Sequence, residues 1–277
     1  MDLLTAVLYG IIQGVSEFLP VSSSGHLALM PYFMTIADPG VVFDLCMHLG
    51  TALAVTVYFR ERIYAMVRNL IPALKNPTGH DPELVFLRHF ILATAASVVL
   101  ILILKPFSEH ARSPWFIAFN QAFFGVLLWV ADVGQNRRER ENGISENYFS
   151  RPESWKTAVL IGLAQALAIF PGVSRSGVTL TAAYMSGVGR SQAGAFSFLL
   201  SLPIIIAGVI VEIPDLMRSL ESGQQSLMPL IVGMSVSFVI GYATIHFFMK
   251  LIVRIHLGWF TGYRLALAVL LVFLLTR

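Results

Sequence analysis

Glu17, Ser23, His26 and Arg175 have the side chains that group-transfer chemistry uses, and they stand in otherwise apolar surroundings. A carboxylate and an imidazole move protons. A serine hydroxyl beside them can attack an electrophile. A guanidinium clamps phosphate oxygens through two parallel N–H bonds. Around these four stand further polar groups that could hold an anion: Gln13, Ser22, Ser24, Gly25, Ser174, Ser176, Gly177 and Thr179. Gln13 and Glu17 are four residues apart, so on a helix they share one face.

The four residues mark the places where a repeat breaks. Residues Thr5 to Gly25 recur from Thr157 to Gly177 at an offset of 152, with 11 identities in 21 positions. The shared residues include Gly10/Gly162, Gln13/Gln165, Phe18/Phe170, Ser22/Ser174, Ser24/Ser176 and Gly25/Gly177. Glu17 faces Ile169, Ser23 faces Arg175, and His26 faces Val178. Shared residues are expected to build the architecture, and unshared polar ones to carry the chemistry.

The elements that must position them lie in a membrane. The chain is 56% hydrophobic and 13% charged, with a mean hydropathy of +0.73. A soluble domain carries about 25% charged residues, so this surface is not made for water. A net charge of +3 is too small and dispersed for a nucleic-acid partner. Cys46 is the single cysteine, which excludes an internal disulfide; it reads as a buried thiol. No cleavable signal is apparent at the N-terminus.

Six segments reach the roughly 20 apolar residues of a spanning helix: 41–59, 87–104, 115–133, 191–211, 228–249 and 258–276. Residues 3–36 and 156–187 are apolar but broken by Pro20 to Gly25 and by Pro171 to Gly177. Proline, glycine and serine stop a helix and free its donors. Irregular backbone at membrane depth requires burial or a wet cavity. Both segments therefore read as re-entrant hairpins, against the alternative of ordinary spans joined by short external loops.

The expected fold is an all-α polytopic membrane protein. Residues 1–133 and 156–277 each hold one hairpin and three spans, joined by a polar linker at 134–155. Three spans per half would turn the second copy over and make the repeat an inverted one. Twelve Lys and Arg fall on the side of the linker, from Arg60 to Arg254, against Lys105, Arg112, Arg218 and Arg277 on the other. The positive-inside rule puts the linker in the cytoplasm and both termini outside.

Hydroxyls, a guanidinium and two helix N-termini describe a phosphate site. Glu17 and His26 add proton transfer, and the membrane location suggests a lipid phosphate. Serine-rich broken helices also bind ions in transporters, so the tips alone leave transport open. Asp44 and His48, four apart, either support the site or make a structural bond within the bundle. Arg264 either holds phosphate or snorkels to the interface, and snorkelling is favoured. The histidines at 80, 89, 110, 246 and 256 have no ligand-like spacing.

The stretches Gln13-Gly14-Val15-Ser16-Glu17-Phe18-Leu19-Pro20-Val21-Ser22-Ser23-Ser24-Gly25-His26 and Pro171-Gly172-Val173-Ser174-Arg175-Ser176-Gly177-Val178-Thr179 resemble the two signature motifs of the undecaprenyl-pyrophosphate phosphatase family, the bacitracin-resistance proteins. The resemblance extends over the whole chain. It implies hydrolysis of undecaprenyl pyrophosphate to undecaprenyl phosphate, in the bacterial cytoplasmic membrane, at a site opening to the periplasm. It also implies a divalent cation, magnesium or calcium; a homodimer is a further expectation. Gln13 takes a place where many members have glutamate, so it is expected to orient by hydrogen bonding. Ser23 is the expected nucleophile, His26 the variant choice, and a polyprenyl-phosphate flippase the alternative function.

Overall fold

The structure, a computed structural model, describes residues 2–34, 40–76, 79–108, 111, 113–143, 147–223 and 226–276. Positions 35–36 of the first expected hairpin, part of the linker, His110, Arg112 and Arg277 lie outside the described residues. Every regular element among the described residues is helical.

The first half holds α1 (Leu3–Ser16), α2 (Ser23–Met34), α3 (Val41–Tyr58), α4 (Arg60–Arg68), α5 (Leu70–Lys75), α6 (Pro82–Ser108) and α7 (Pro114–Asn142). The second holds α8 (Trp155–Ala166), α9 (Arg175–Met185), α10 (Arg190–Glu221), α11 (Leu227–Leu251) and α12 (Gly258–Leu275). Among the described residues, six helices, α3, α6, α7, α10, α11 and α12, are long and apolar enough to cross a membrane.

Several of these run past the apolar limits expected from the sequence. α7 continues to Asn142, so the start of the expected linker is helix. Pairs four residues apart hold that polar extension: Gln135 Nε2 donates to Glu139 at 2.9 Å and Arg137 Nε to Glu141 at 2.8 Å. The segment after Phe59, expected as a loop, contains α4 and α5.

α1, α2, α8 and α9 have 14, 12, 12 and 11 residues. At about 1.5 Å per residue, none reaches across a hydrocarbon core of about 30 Å. Asp2 caps α1 by accepting from Thr5 N at 2.7 Å and Thr5 Oγ1 at 3.1 Å. Those two bonds hold its carboxyl below the usual carboxylate value.

Each broken pair leans on the opposite half: α1 packs along α11, and α8 along α6. The repeated glycines make both approaches possible. A β-carbon on Gly10 would lie 2.6 Å from Gly233 O, and one on Gly162 would lie 2.2 Å from Ala93 O. Small residues let membrane helices close to backbone distance, where dispersion and polar contacts replace the missing hydrophobic drive. Ser97 Oγ adds a bond to Gly162 O at 2.8 Å.

An apolar core joins the halves around Phe18, Tyr184, Phe196 and Phe198. Towards the linker end, buried Arg190 ties α10 to α7 through Asp132 (2.5 Å), Asn136 (2.8 Å) and Glu139 (3.2 Å). Cys46, expected buried, is half-buried on α3.

Candidate active site

The two broken segments end in the same local fold. Ser22 and Ser174, equivalent in the repeat, have φ of +75° and +71°. Such values are uncommon for a residue with a side chain and mark stored strain. Each hydroxyl then accepts from the N–H three residues on: Gly25 N at 3.3 Å and Gly177 N at 3.1 Å. These are N-caps, and they satisfy donors that a helix start leaves open.

The tips touch and are pinned together. Ser176 Oγ donates to Leu19 O at 3.0 Å. From α7, Asn120 Nδ2 donates to Pro171 O at 2.8 Å and Gln121 Nε2 to Val21 O at 3.1 Å. Arg264 is fully buried, not snorkelling. Its guanidinium donates to Pro20 O (3.3 Å), Gly172 O (2.9 Å), Val173 O (3.1 Å), Asn120 O (3.1 Å) and Gln121 O (3.0 Å). Stopping two helices freed the carbonyls of Pro20, Gly172 and Val173, and the guanidinium satisfies these while also reaching two carbonyls within α7. That network leaves Arg264 no role as a phosphate ligand.

Glu17 lies at the centre, 5% exposed. Its Oε1 accepts from Arg175 Nη2 at 3.1 Å and Nε at 3.3 Å. Its Oε2 accepts from Gln13 Nε2 at 3.0 Å and from Ser23 Oγ at 2.5 Å. His48 Nε2 stands 3.5 Å from Oε2, an ion-pair separation when the ring is protonated. His48 Nδ1 is held by Asp44 O at 2.7 Å, so the expected pair bonds through the backbone carbonyl. Arg175 Nη1 donates to Ser197 O at 3.0 Å. Three of the five guanidinium N–H groups are thereby used, and two remain for a ligand.

These residues edge a cavity of about 270 Å³. Glu17, Ser23, Ser24, His48, Gln165, Ser174 and Arg175 form its polar part, and Leu45, Ile101, Ile169, Ile204 and Ile205 its apolar wall. Of the expected ligand-binding residues, Ser24 and Ser174 line it. Gln13 orients Glu17. Ser22, Gly25, Ser176 and Gly177 build the tips, and Thr179 Oγ1 bonds Arg175 O at 2.8 Å and Ser197 Oγ at 2.6 Å.

His26 stands apart from Glu17. Its Nδ1 bonds Ser22 O at 2.7 Å and its Nε2 bonds Tyr263 Oη at 2.6 Å. Sequence reasoning did not reach Asn120, Gln121 or Tyr263. Two adjacent amides inside an apolar span were a signal for the first two, since polar groups at membrane depth are costly. Tyr263 carried no such signal.

The expected divalent cation meets a poor donor set. No group of three His, Cys, Asp or Glu that could hold a metal exists among the described residues. Calcium takes about six to eight oxygen ligands and magnesium six. The one carboxylate lining the cavity already has both oxygens bonded to Arg175, Gln13 and Ser23. The described residues lining this cavity do not fit a magnesium or calcium site.

Broken helices meeting at a buried carboxylate, serine and arginine define a polytopic membrane protein with a centre suited to anion chemistry. The pattern of the family described as bacitracin resistance protein BacA matches residues 6–270, and the chain belongs to that family. It is similar to "Undecaprenyl-diphosphatase 2" of Stutzerimonas stutzeri, 42% identical over 98% of both chains. It is also similar to proteins named "Undecaprenyl-diphosphatase". The one from Rubrobacter xylanophilus is 40% identical over 99% of both chains. The one from Moorella thermoacetica is 37% identical over 98% of this chain and 97% of the relative.

Proposed function

We propose that this protein is a membrane phosphatase that hydrolyses undecaprenyl diphosphate to undecaprenyl phosphate and inorganic phosphate, recycling a cell-wall carrier lipid and so resisting bacitracin. The observation that carries this is the 2.5 Å bond from Ser23 Oγ to Glu17 Oε2 at the edge of a cavity with an isoleucine-rich wall. A polar end and an apolar wall suit a diphosphate on a prenyl chain. The full-length relatives' names support an enzyme over a transporter.

In the first step Ser23 Oγ bonds to the terminal phosphorus while Glu17 Oε2 takes its proton. The bond from that phosphorus to the bridging oxygen breaks, and undecaprenyl phosphate leaves. In the second step water attacks the phosphoserine and gives a proton to His26. The bond from phosphorus to Ser23 Oγ breaks, Glu17 returns the proton to Ser23, phosphate departs, and His26 gives its proton to solvent. Arg175, Ser24, Ser174 and the first N–H groups of α2 and α9 hold the phosphoryl oxygens, since phosphoryl transfer is mainly positioning and electrostatics. Ser23 rather than His26 is cast as nucleophile because Ser23 Oγ is the group bonded to Glu17; His26, with Nδ1 held on Ser22 O, keeps Nε2 as its basic nitrogen.

The described residues would give a divalent cation few free oxygen ligands, so no tight cation site is expected in the protein alone. Titrating magnesium or calcium against protein without substrate tests this: no binding is expected below millimolar concentrations, and tight binding contradicts it.

The two halves are proposed to lie as inverted repeats in the bacterial cytoplasmic membrane, with the site open to the periplasm and both termini outside. The exchange of α1 and α8 onto opposite halves and the twelve-to-four basic bias support this. In a Cys46→Ser background, an impermeant maleimide should label Arg218→Cys in intact cells and Arg60→Cys only after permeabilisation. The reverse pattern contradicts the orientation. A homodimer would bury some of the exposed apolar helix surface, and light scattering in detergent measures it.

The function itself is tested by phosphate release from undecaprenyl diphosphate by purified protein in detergent. Release without a membrane gradient is expected; its absence contradicts the proposal.

A further inference from the structure

The geometry points to Tyr263 as a positioning residue that holds His26 with Nε2 as its basic nitrogen. The inference rests on the phosphatase reading for its activity arm and on structure alone for its spectroscopic arm.

His26 lies on α2, three residues after Ser23 and on an adjoining face of the helix. Its Nδ1 is 2.7 Å from Ser22 O. A carbonyl oxygen only accepts, so Nδ1 carries the hydrogen. In the neutral ring Nε2 then has the lone pair, and its partner at 2.6 Å is the Tyr263 hydroxyl, which donates. The two rings lie nearly parallel, with an interplanar angle of 7° and centroids 5.7 Å apart. Orientation and tautomer are thus set at both nitrogens, one by the strained tip residue Ser22 and the other by α12.

Tyr263 has a neighbour with a related task. Arg264, the next residue on α12, pins the carbonyls of both tips. One turn of α12 therefore fixes the loops through one side chain and the histidine through the next. Tyr263 is half exposed, and its hydroxyl bonds the ring rather than the buried core. For the proton transfer Nε2 is released as the half-exposed phenol turns its hydroxyl to solvent. The proton then moves from water to Nε2 as the new P–O bond forms and the bond from phosphorus to Ser23 Oγ breaks.

The test uses full-length protein with ¹⁵N-labelled histidine, His26 being assigned by the signal lost in His26→Gln. Wild type should show a protonated Nδ1 and a hydrogen-bonded Nε2. In Tyr263→Phe the Nε2 signal should move towards that of an unbonded ring nitrogen. Tyr263→Phe should also lower kcat roughly tenfold with KM changed less than twofold, the size of one lost hydrogen bond. In a His26→Ala background it should cost nothing further, because its effect runs through the ring. An unchanged Nε2 signal, a wild-type kcat, or losses that multiply in the double variant would each overturn the inference. If wild type releases no phosphate, the phosphatase reading fails, while the nitrogen signal still decides the contact.

Discussion

Ser23 and Arg175 occupy the same place in the two copies of the repeat, and they reach opposite oxygens of one carboxylate. Ser23 Oγ donates to Glu17 Oε2 at 2.5 Å, and Arg175 Nη2 to Oε1 at 3.1 Å. The guanidinium occupies Oε1, and Oε2 takes the Ser23 hydrogen bond along which a proton can pass. Glu17→Gln keeps the volume but removes the base. Phosphate release should fall roughly 10²- to 10⁴-fold. The melting temperature should fall too, because a largely buried Arg175 without its charged partner costs about 3–5 kcal/mol.

Arg264 should behave as a structural residue despite its place beside the site. Arg264→Met leaves three loop carbonyls, Pro20 O, Gly172 O and Val173 O, without this donor. Each buried carbonyl left unsatisfied costs about 1–3 kcal/mol. Arg264→Lys has three donors, so it should recover only part of the loss. Melting temperature in detergent, followed beside phosphate release, should fall in the order wild type, Lys, Met, with activity tracking the folded fraction.

The close approach of α8 to α6 predicts a contrast between two helical glycines. At Gly162 a β-carbon would meet Ala93 O at 2.2 Å, whereas at Gly134 nothing lies within 4 Å. Gly162→Ala should destabilise by about 1–3 kcal/mol through overpacking. Gly134→Ala should stabilise by about 0.5–1 kcal/mol through helix propensity. Thermal unfolding of the two variants should move in opposite directions.

Ser174 both caps α9 and sits at φ +71°. Alanine loses the cap, worth about 1 kcal/mol, and keeps the strain. Glycine loses the same oxygen but relieves the backbone. Ser174→Gly should therefore melt above Ser174→Ala, the reverse of the order inside a helix.

The spans were legible because twenty apolar residues leave few alternatives in composition, and the two breaks because proline, glycine and serine interrupt them. The repeat also marked Glu17, Ser23 and Arg175, which the fold brings into contact. His26 broke the repeat as well, yet it faces Tyr263 across 237 positions. A pairing between the first hairpin and the last helix leaves no trace in local spacing. Arg264 was misread because a lone arginine in an apolar run looks the same whether it snorkels or is buried. The carbonyls that justify its burial exist only once two distant loops meet. The polar continuation of α7 was hidden for a simpler reason: an apolar run ends where hydropathy changes, while a helix ends where its pairing does.

The proposed roles of Ser23 as nucleophile and Glu17 as its base turn on the rate of phosphate release from undecaprenyl diphosphate by Ser23→Ala, with folding verified by its melting temperature. Loss of the attacking oxygen should lower turnover by roughly a thousandfold or more, with melting within a few degrees of wild type. Turnover within tenfold of wild type in a folded Ser23→Ala protein would contradict the account.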